Sequence, residues 1–306
     1  MKAFVALSEF CANDPRPREI LRVAGWDVVE NTTGRRLKRE ELMTALVDAD
    51  AVLAGVEPYD AEVLAQAPRL RCISRVGAGT DAVDLAAAAA RGVAVMTTPD
   101  EVAEPVAQLT VAMLLGLARN FPQHLTDAHA GQWKKHTGFL LREWTIGLIG
   151  FGRIGQRVEA YLRPFGPRIL ACDPLVGPSA AWPAVEFVDK ATLLAESDVV
   201  SLHAATKKGT GWMIGASELA AMKRGSRLVN TARGYVVDEV ALLEALTSGH
   251  LAAAALDVFG EEPYSGPLFQ LPQVLCTPHV ATLTRASRSA MEVRCAENVL
   301  IACAGA

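Results

Sequence analysis

The chain has 306 residues, of which 51% are hydrophobic and 21% charged, with a formal charge of −4; these proportions fit a globular protein long enough for two domains. Mixed charge without a basic patch or polybasic arm argues against nucleic acid and membrane partners, and points to a small molecule. The N-terminal apolar run ends at Ser8 and Glu9, too short for a signal peptide, no stretch approaches the roughly eighteen apolar residues of a membrane span, and the six cysteines lack C-x-x-C spacing, several of them in predicted strands or the last helix reading as buried thiols, so a cytoplasmic protein is expected.

Lys2 to Leu7 predicts a strand, and Asp14-Pro15-Arg16-Pro17 a turn opening a helix that runs to Ala24 and stops at Gly25. Trp26 to Glu30 is a second strand. The loop Asn31-Thr32-Thr33-Gly34 leads to a helix from about Arg39 to Val47 and the apolar strand Ala51 to Ala54. A short helix near Ala61 to Ala67 is stopped by Pro68, and a strand runs from Leu70 to Val76. Beyond Gly77-Ala78-Gly79-Thr80 come an alanine-rich helix from Asp84 to Arg91 and a strand from Val93 to Met96. Such alternation requires parallel crossovers and a sheet covered on both faces, so the first hundred residues form a small doubly wound domain. Thr97-Thr98-Pro99 marks the crossing point. One long helix follows from Glu101 to Arg119, then a polar connection in which His124, His129 and His136 read as surface residues.

The stretch from Thr145 to Pro174 reads as strand, glycine turn, helix and strand. Gly150, Gly152 and Gly155 have the G-x-G-x-x-G spacing that gives a tight turn, close approach to a pyrophosphate and close helix packing. Apolar residues at Ile154, Val158, Leu162 and Phe165 predict one buried helix face, whose positive end points at the phosphates. Asp173, ending the next strand, stands where a carboxylate meets a ribose hydroxyl. Pro174 follows with no arginine nearby to meet a 2′-phosphate, which favours NAD over NADP. Beyond it the alternation continues: strand Val185 to Val188, helix Ala191 to Glu196, strand Asp198 to His203, helix Ala216 to Met222, strand Arg227 to Asn230 and helix Asp238 to Leu246. Leu251 to Val258 is rich in helix-favouring alanine, yet the alternation calls for a strand. Strand Val274 to Cys276 and a helix from about Ala286 to Ala302 close the chain.

Three further stretches carry a resemblance: Leu228-Val229-Asn230-Thr231-Ala232-Arg233-Gly234, then Ala255-Leu256-Asp257-Val258-Phe259 followed by Glu261-Glu262-Pro263, and Thr277-Pro278-His279. With the glycine turn and Asp173 they resemble the D-isomer-specific 2-hydroxyacid dehydrogenase family over essentially the whole chain. The resemblance implies two doubly wound parallel-sheet α/β domains. One is a flavodoxin-like substrate domain of residues 1–98 and 284–306, the other a Rossmann NAD-binding domain of residues 99–283, with the active site in the cleft between them. It also implies a homodimer built through the NAD domain and its long first helix.

Hydride transfer to or from a carbonyl carbon needs a matched proton transfer at the oxygen, which suits a histidine. The resemblance makes His279 this acid/base and gives it Glu262 as the partner of its other ring nitrogen, with Glu261 an adjacent solvated acid. A glutamate there argues against the related formate dehydrogenases. Arg233 supplies a planar fork of donors for the substrate carboxylate and carbonyl oxygen. The loop Val76, Gly77, Ala78 and Gly79 is expected to complete the anion site through backbone N–H groups. By resemblance, Asp257 receives the nicotinamide carboxamide and Arg153 and Ile154 lie at the pyrophosphate. Val106, His203, Ala204, Thr231 and Ala232 line the cofactor, with Arg233 and His279 facing it. The family often has His-x-Pro where this chain has His203-Ala204-Ala205. No metal is expected. The function implied is oxidoreduction of a small D-2-hydroxy or 2-oxo acid with NAD. The alternative is an NADH-sensing binding protein like the co-repressors that share this fold. Phosphoglycerate dehydrogenase-like and glyoxylate or hydroxypyruvate reductase-like substrates stay open, because Ala54-Gly55-Val56-Glu57 lacks an arginine for a substrate phosphate.

Overall fold

The computed structural model describes residues 1–204, 209 and 211–304, and the chain divides into two compact units, Met1–Val102 with Thr282–Ala306, and Ala103–Ala281. The first unit contains β1 (Lys2–Val5), α1 (Arg16–Val23), β2 (Asp27–Glu30), α2 (Arg39–Leu46), β3 (Ala51–Ala54), α3 (Ala61–Ala65), β4 (Cys72–Arg75), α4 (Leu85–Ala90) and β5 (Ala94–Met96). Its strands are all parallel, in the order β2-β1-β3-β4-β5, the flavodoxin-like arrangement. Among the described residues four aspartates start helices by the same device: Asp60, Asp84, Asp189 and Asp238 each accept a hydrogen bond from an amide three residues on, satisfying a donor the helix cannot.

α5 (Pro99–Ala118) carries the unit boundary, and α6 (Phe121–His129), β6 (Thr145–Ile149), α7 (Arg153–Leu162), β7 (Arg168–Cys172) and β8 (Val185–Phe187) follow. The second unit is completed by α8 (Lys190–Glu196), β9 (Val199–Leu202), α9 (Ala216–Ala221), β10 (Arg227–Asn230), α10 (Glu239–Thr247), β11 (Ala253–Leu256) and β12 (Val274–Cys276). Its parallel sheet runs β12-β11-β10-β9-β6-β7-β8 among the described residues. Strand order reverses between β6 and β9, and in open α/β sheets that switch point is where a dinucleotide binds. α11 (Arg285–Ala302) returns to the first unit, where Met291, Cys295, Ala296 and Val299 pack with Val5, Leu21 and Leu53. Side chains the size of Met291 and Val299 each stabilise by about 1.5–3 kcal/mol when buried.

Both sheets are covered on both faces. In the second unit Leu193, Leu219 and Leu242 lie in one core, and Met113, Leu114, Phe151 and Val158 in the other. β11 is a strand despite its alanines, because it is paired between β10 and β12 with every residue buried; tertiary context overrides propensity there.

Three sequence expectations need correction. The polar connection contains a helix, α6, started by Pro122; His129 is exposed as expected, but His124 and His136 are not merely surface residues: their rings meet edge-on at 5.1 Å and His136 Nε2 lies 2.6 Å from Asp127 Oδ2. Phe165 does not extend the buried face of α7; it lies exposed in a tight turn, Arg163–Phe165, that contains Pro164. α5 is long and apolar enough to cross a membrane, although 61% of its apolar window is buried within the protein. All six cysteines are free, and burial pushes the thiols of Cys72, Cys276 and Cys295 up to about 12, so they stay protonated.

Candidate active site

The glycine turn sits at the switch point of the second sheet. Gly150 has φ +92, and a Cβ there would lie 2.7 Å from Ala204 N and from His203 C at the end of β9. A Cβ on Gly155 would overlap the Gly150 carbonyl. Both glycines are therefore demanded by the chain's own packing. Gly152 differs: the space its Cβ would occupy is open, and no side chain caps the α7 helix that begins after it. An open approach at an uncapped helix N-terminus fits a pyrophosphate.

Asp173 does more than the sequence suggested. Its Oδ2 accepts from the Phe151 amide at 2.7 Å, and its Oδ1 from the Leu175 and Val176 amides at 2.7 and 3.0 Å. The carboxylate thus ties the glycine turn to the loop after β7. Thr110, which sequence reasoning missed, links two expected cofactor-lining positions: its hydroxyl donates to the Val106 carbonyl and lies 2.9 Å from Thr231 Oγ1. Ile154 is packed partly into the core behind α7. His203 Nε2 lies 2.9 Å from Ser201 Oγ, and burial pushes the imidazole down to about 4, so it is neutral. Ala205, part of the departure from His-x-Pro, lies outside the described residues.

At the carboxyl ends of β10, β11 and β12 the structure brings Arg233, Glu262 and His279 together. Buried Asn230 shapes the β10 end: its Oδ1 accepts from the Ala232 amide and its Nδ2 donates to the Arg233 carbonyl. Arg233 Nη1 donates to the Ala232 carbonyl at 2.7 Å. A Cβ on Gly234 would overlap the Phe259 carbonyl and the Gly260 nitrogen, so glycine is what lets the segment after β11 pass directly behind Arg233. That segment is held further by Glu239, whose Oε1 accepts from the Gly260 amide at 2.6 Å. Gly234→Ala is expected to destabilise the protein by about 1–3 kcal/mol and to cut turnover, checked by thermal melting alongside kinetics.

Glu262 is bonded on both oxygens. Oε1 accepts from the Phe259 amide at 3.0 Å, and Oε2 lies 2.7 Å from His279 Nδ1. Burial raises its pKa, but the hydrogen bonds from His279 and Phe259 and the nearby charges of His279 and Arg233 outweigh that and hold it below the usual glutamate range. An ionised carboxylate on Nδ1 leaves Nε2 of His279 as the ring atom that meets a reactant. Both side chains remain partly exposed, His279 at 48%.

Asp257 is fully buried. Its Oδ1 accepts from Thr277 Oγ1 at 2.5 Å and the Val280 amide at 2.8 Å, and its Oδ2 from the Ala281 amide at 3.0 Å. In the first unit, half of the expected anion loop is already engaged. The Val76 amide donates to the Ala54 carbonyl and the Gly77 amide to Thr98 Oγ1, so only Ala78 and Gly79 are left for the role assigned to all four. The Val76 amide is spent on the sheet and the Gly77 amide on Thr98, whose part was not visible in the sequence.

Residues 111–281 match the model of the D-isomer specific 2-hydroxyacid dehydrogenase, NAD binding domain, which is more than half of the chain. The chain belongs to this family. Its relatives include a D-3-phosphoglycerate dehydrogenase from Mycobacterium leprae, 40% identical over 272 residues, covering 87% of this chain and 52% of that protein. A glyoxylate reductase from Thermococcus litoralis is 38% identical over 274 residues, 86% of this chain and 83% of that one. A solved glyoxylate reductase from Paecilomyes thermophila has a TM-score of 0.89 at 30% identity, covering 100% of this chain and 96% of that chain. The chain spans about half the length of the D-3-phosphoglycerate dehydrogenases it matches. Family membership and the two parallel α/β domains are as the sequence motifs implied. In this member of the D-2-hydroxyacid dehydrogenase family, the histidine, glutamate and arginine motifs lie far apart in sequence but converge on neighbouring strand ends.

Proposed function

We propose that this protein is an NAD-dependent oxidoreductase that interconverts a small D-2-hydroxy acid and its 2-oxo acid. The observation that carries the reading is the 2.7 Å contact of His279 Nδ1 with Glu262, within the field of Arg233. Bound NAD supplies or accepts the hydride. The turn Gly150–Gly155, with Arg153 and Ile154, would hold the pyrophosphate and Asp173 the ribose, while Val106, His203, Ala204, Thr231, Ala232 and Asp257 line the rest. Arg233 binds the substrate carboxylate and draws electron density from the neighbouring carbonyl oxygen. His279 Nε2 gives that oxygen a proton in reduction and takes it back in oxidation, and Glu262 stabilises the imidazolium. The Ala78 and Gly79 amides are assigned to the anionic end of the substrate.

The test is oxidation of NADH across a panel of 2-oxo acids, including glyoxylate, hydroxypyruvate and phosphohydroxypyruvate. Turnover on at least one supports the reading. Tight NADH binding with no turnover on any of them overturns it in favour of a sensor.

The reading extends to a homodimer in the cytoplasm. Phe121, Leu125, Phe139 and Leu140 are exposed and Trp133 is 94% exposed, apolar side chains that a second copy could cover. Trp133→Ala is expected to weaken dimerisation at least about tenfold, read by sedimentation velocity. A wild type that sediments as a monomer at micromolar concentration would end the dimer proposal.

A further inference from the structure

We propose that Thr277, acting through Asp257, is a positioning residue that holds His279 in its reactive conformation; this rests on the function proposed above. His279 has φ +54, the left-handed region that a residue with a Cβ enters only at a cost and keeps only when its surroundings enforce it. The Glu262 contact does not enforce it, because it fixes one ring atom of a side chain that is half exposed. The enforcing contacts lie around the backbone on either side of it, gathered by Asp257.

The His279 amide donates to the Asp257 carbonyl at 2.8 Å and to the Thr277 carbonyl at 3.0 Å. The Asp257 carboxylate gathers the residues on both sides of His279: the Thr277 hydroxyl before it, and the Val280 and Ala281 amides after it. A buried carboxylate must have its lone pairs satisfied, so the turn is wrapped around Asp257 by that requirement. Among these donors only the Thr277 hydroxyl is a side chain, and so only it can be deleted without altering the backbone. It is also the donor on the side from which β12 enters the turn. Without it the carboxylate keeps its two later amides and the His279 amide keeps its carbonyl partners, but the side-chain tether on the residue two before His279 is lost, so the turn is held from one side only and φ can relax. The imidazole then swings away from the reacting oxygen, although the cofactor's groups at the glycine turn are untouched.

The experiment compares wild type, Thr277→Val, Thr277→Ser and His279→Ala, with Thr277→Val also made in the His279→Ala background. Thr277→Val is expected to lower kcat by about ten- to a hundredfold, the weight of a hydrogen bond to a charged group. NADH affinity and the KM for the 2-oxo acid should stay within about twofold. Thr277→Ser should return kcat to within about threefold of wild type. In the His279→Ala background Thr277→Val should change nothing further, because its whole effect passes through that ring. A Thr277→Val enzyme with more than half the wild-type kcat overturns the inference. So does a loss that persists without the histidine, or one found wholly in NADH affinity. If neither Thr277→Val nor Thr277→Ser melts cooperatively, Thr277 is a folding determinant and the inference also fails. A wild type with no turnover on any 2-oxo acid instead removes the underlying reading, and is distinguishable because it appears before any substitution is made.

Discussion

Replacing His279 with alanine is expected to lower turnover by about two to four orders of magnitude, the usual weight of general acid/base catalysis. The loss should fall on kcat, because the cofactor turn and Arg233 lie on other strand ends and keep their contacts. Glu262→Gln should cost less, since the ring and its Nε2 remain, but it removes the charge that stabilises the imidazolium. The pH dependence has a definite sign. The Glu262 carboxyl is held below its ordinary range in the folded protein, so its contribution to stability is present above the unfolded value and is lost as pH falls through the depressed one. Steady-state kinetics of the purified variants checks the first expectation, and acid titration of wild type against Glu262→Gln the second. A His279→Ala enzyme with near-normal turnover would exclude the acid/base role.

Arg233→Lys, which keeps the charge, is expected to lower kcat/KM by about a hundredfold or more. A lysine has no planar fork to meet both the carboxylate and the carbonyl oxygen. The loss should appear in KM as well as kcat, because Arg233 is assigned both to binding and to the developing charge. NADH affinity, measured by fluorescence titration, should change little. An Arg233→Lys enzyme with unaltered kcat/KM would mean that another group holds the carboxylate.

What the sequence made legible was local. The glycine turn could be read because its glycine spacing, its apolar strand and Asp173 all lie within thirty residues, and each has a direct steric or electrostatic reason. The convergence of Arg233, Glu262 and His279 could not be derived from periodicity; it came from matching motif order to a family. Other features arise only from folding. That Gly234 is required depends on Phe259, twenty-five positions away, passing where a Cβ would be. The left-handed backbone of His279 was not read from the sequence, since even a histidine adopts it only where its surroundings enforce it. Thr98 and Thr277 look like ordinary loop threonines, yet one takes up the Gly77 amide and the other bonds a buried carboxylate. α6 was missed because its residues are largely polar and its start rests on Pro122 alone.

The most direct measurement is a crystal structure of the protein with NAD and a non-reacting 2-oxo acid analogue such as oxamate. The expected result is the analogue's carboxylate on the Arg233 guanidinium, its carbonyl oxygen within about 3 Å of His279 Nε2, and His279 Nδ1 still on Glu262. An analogue bound away from Arg233, or an imidazole turned from the carbonyl oxygen, would contradict the proposed chemistry.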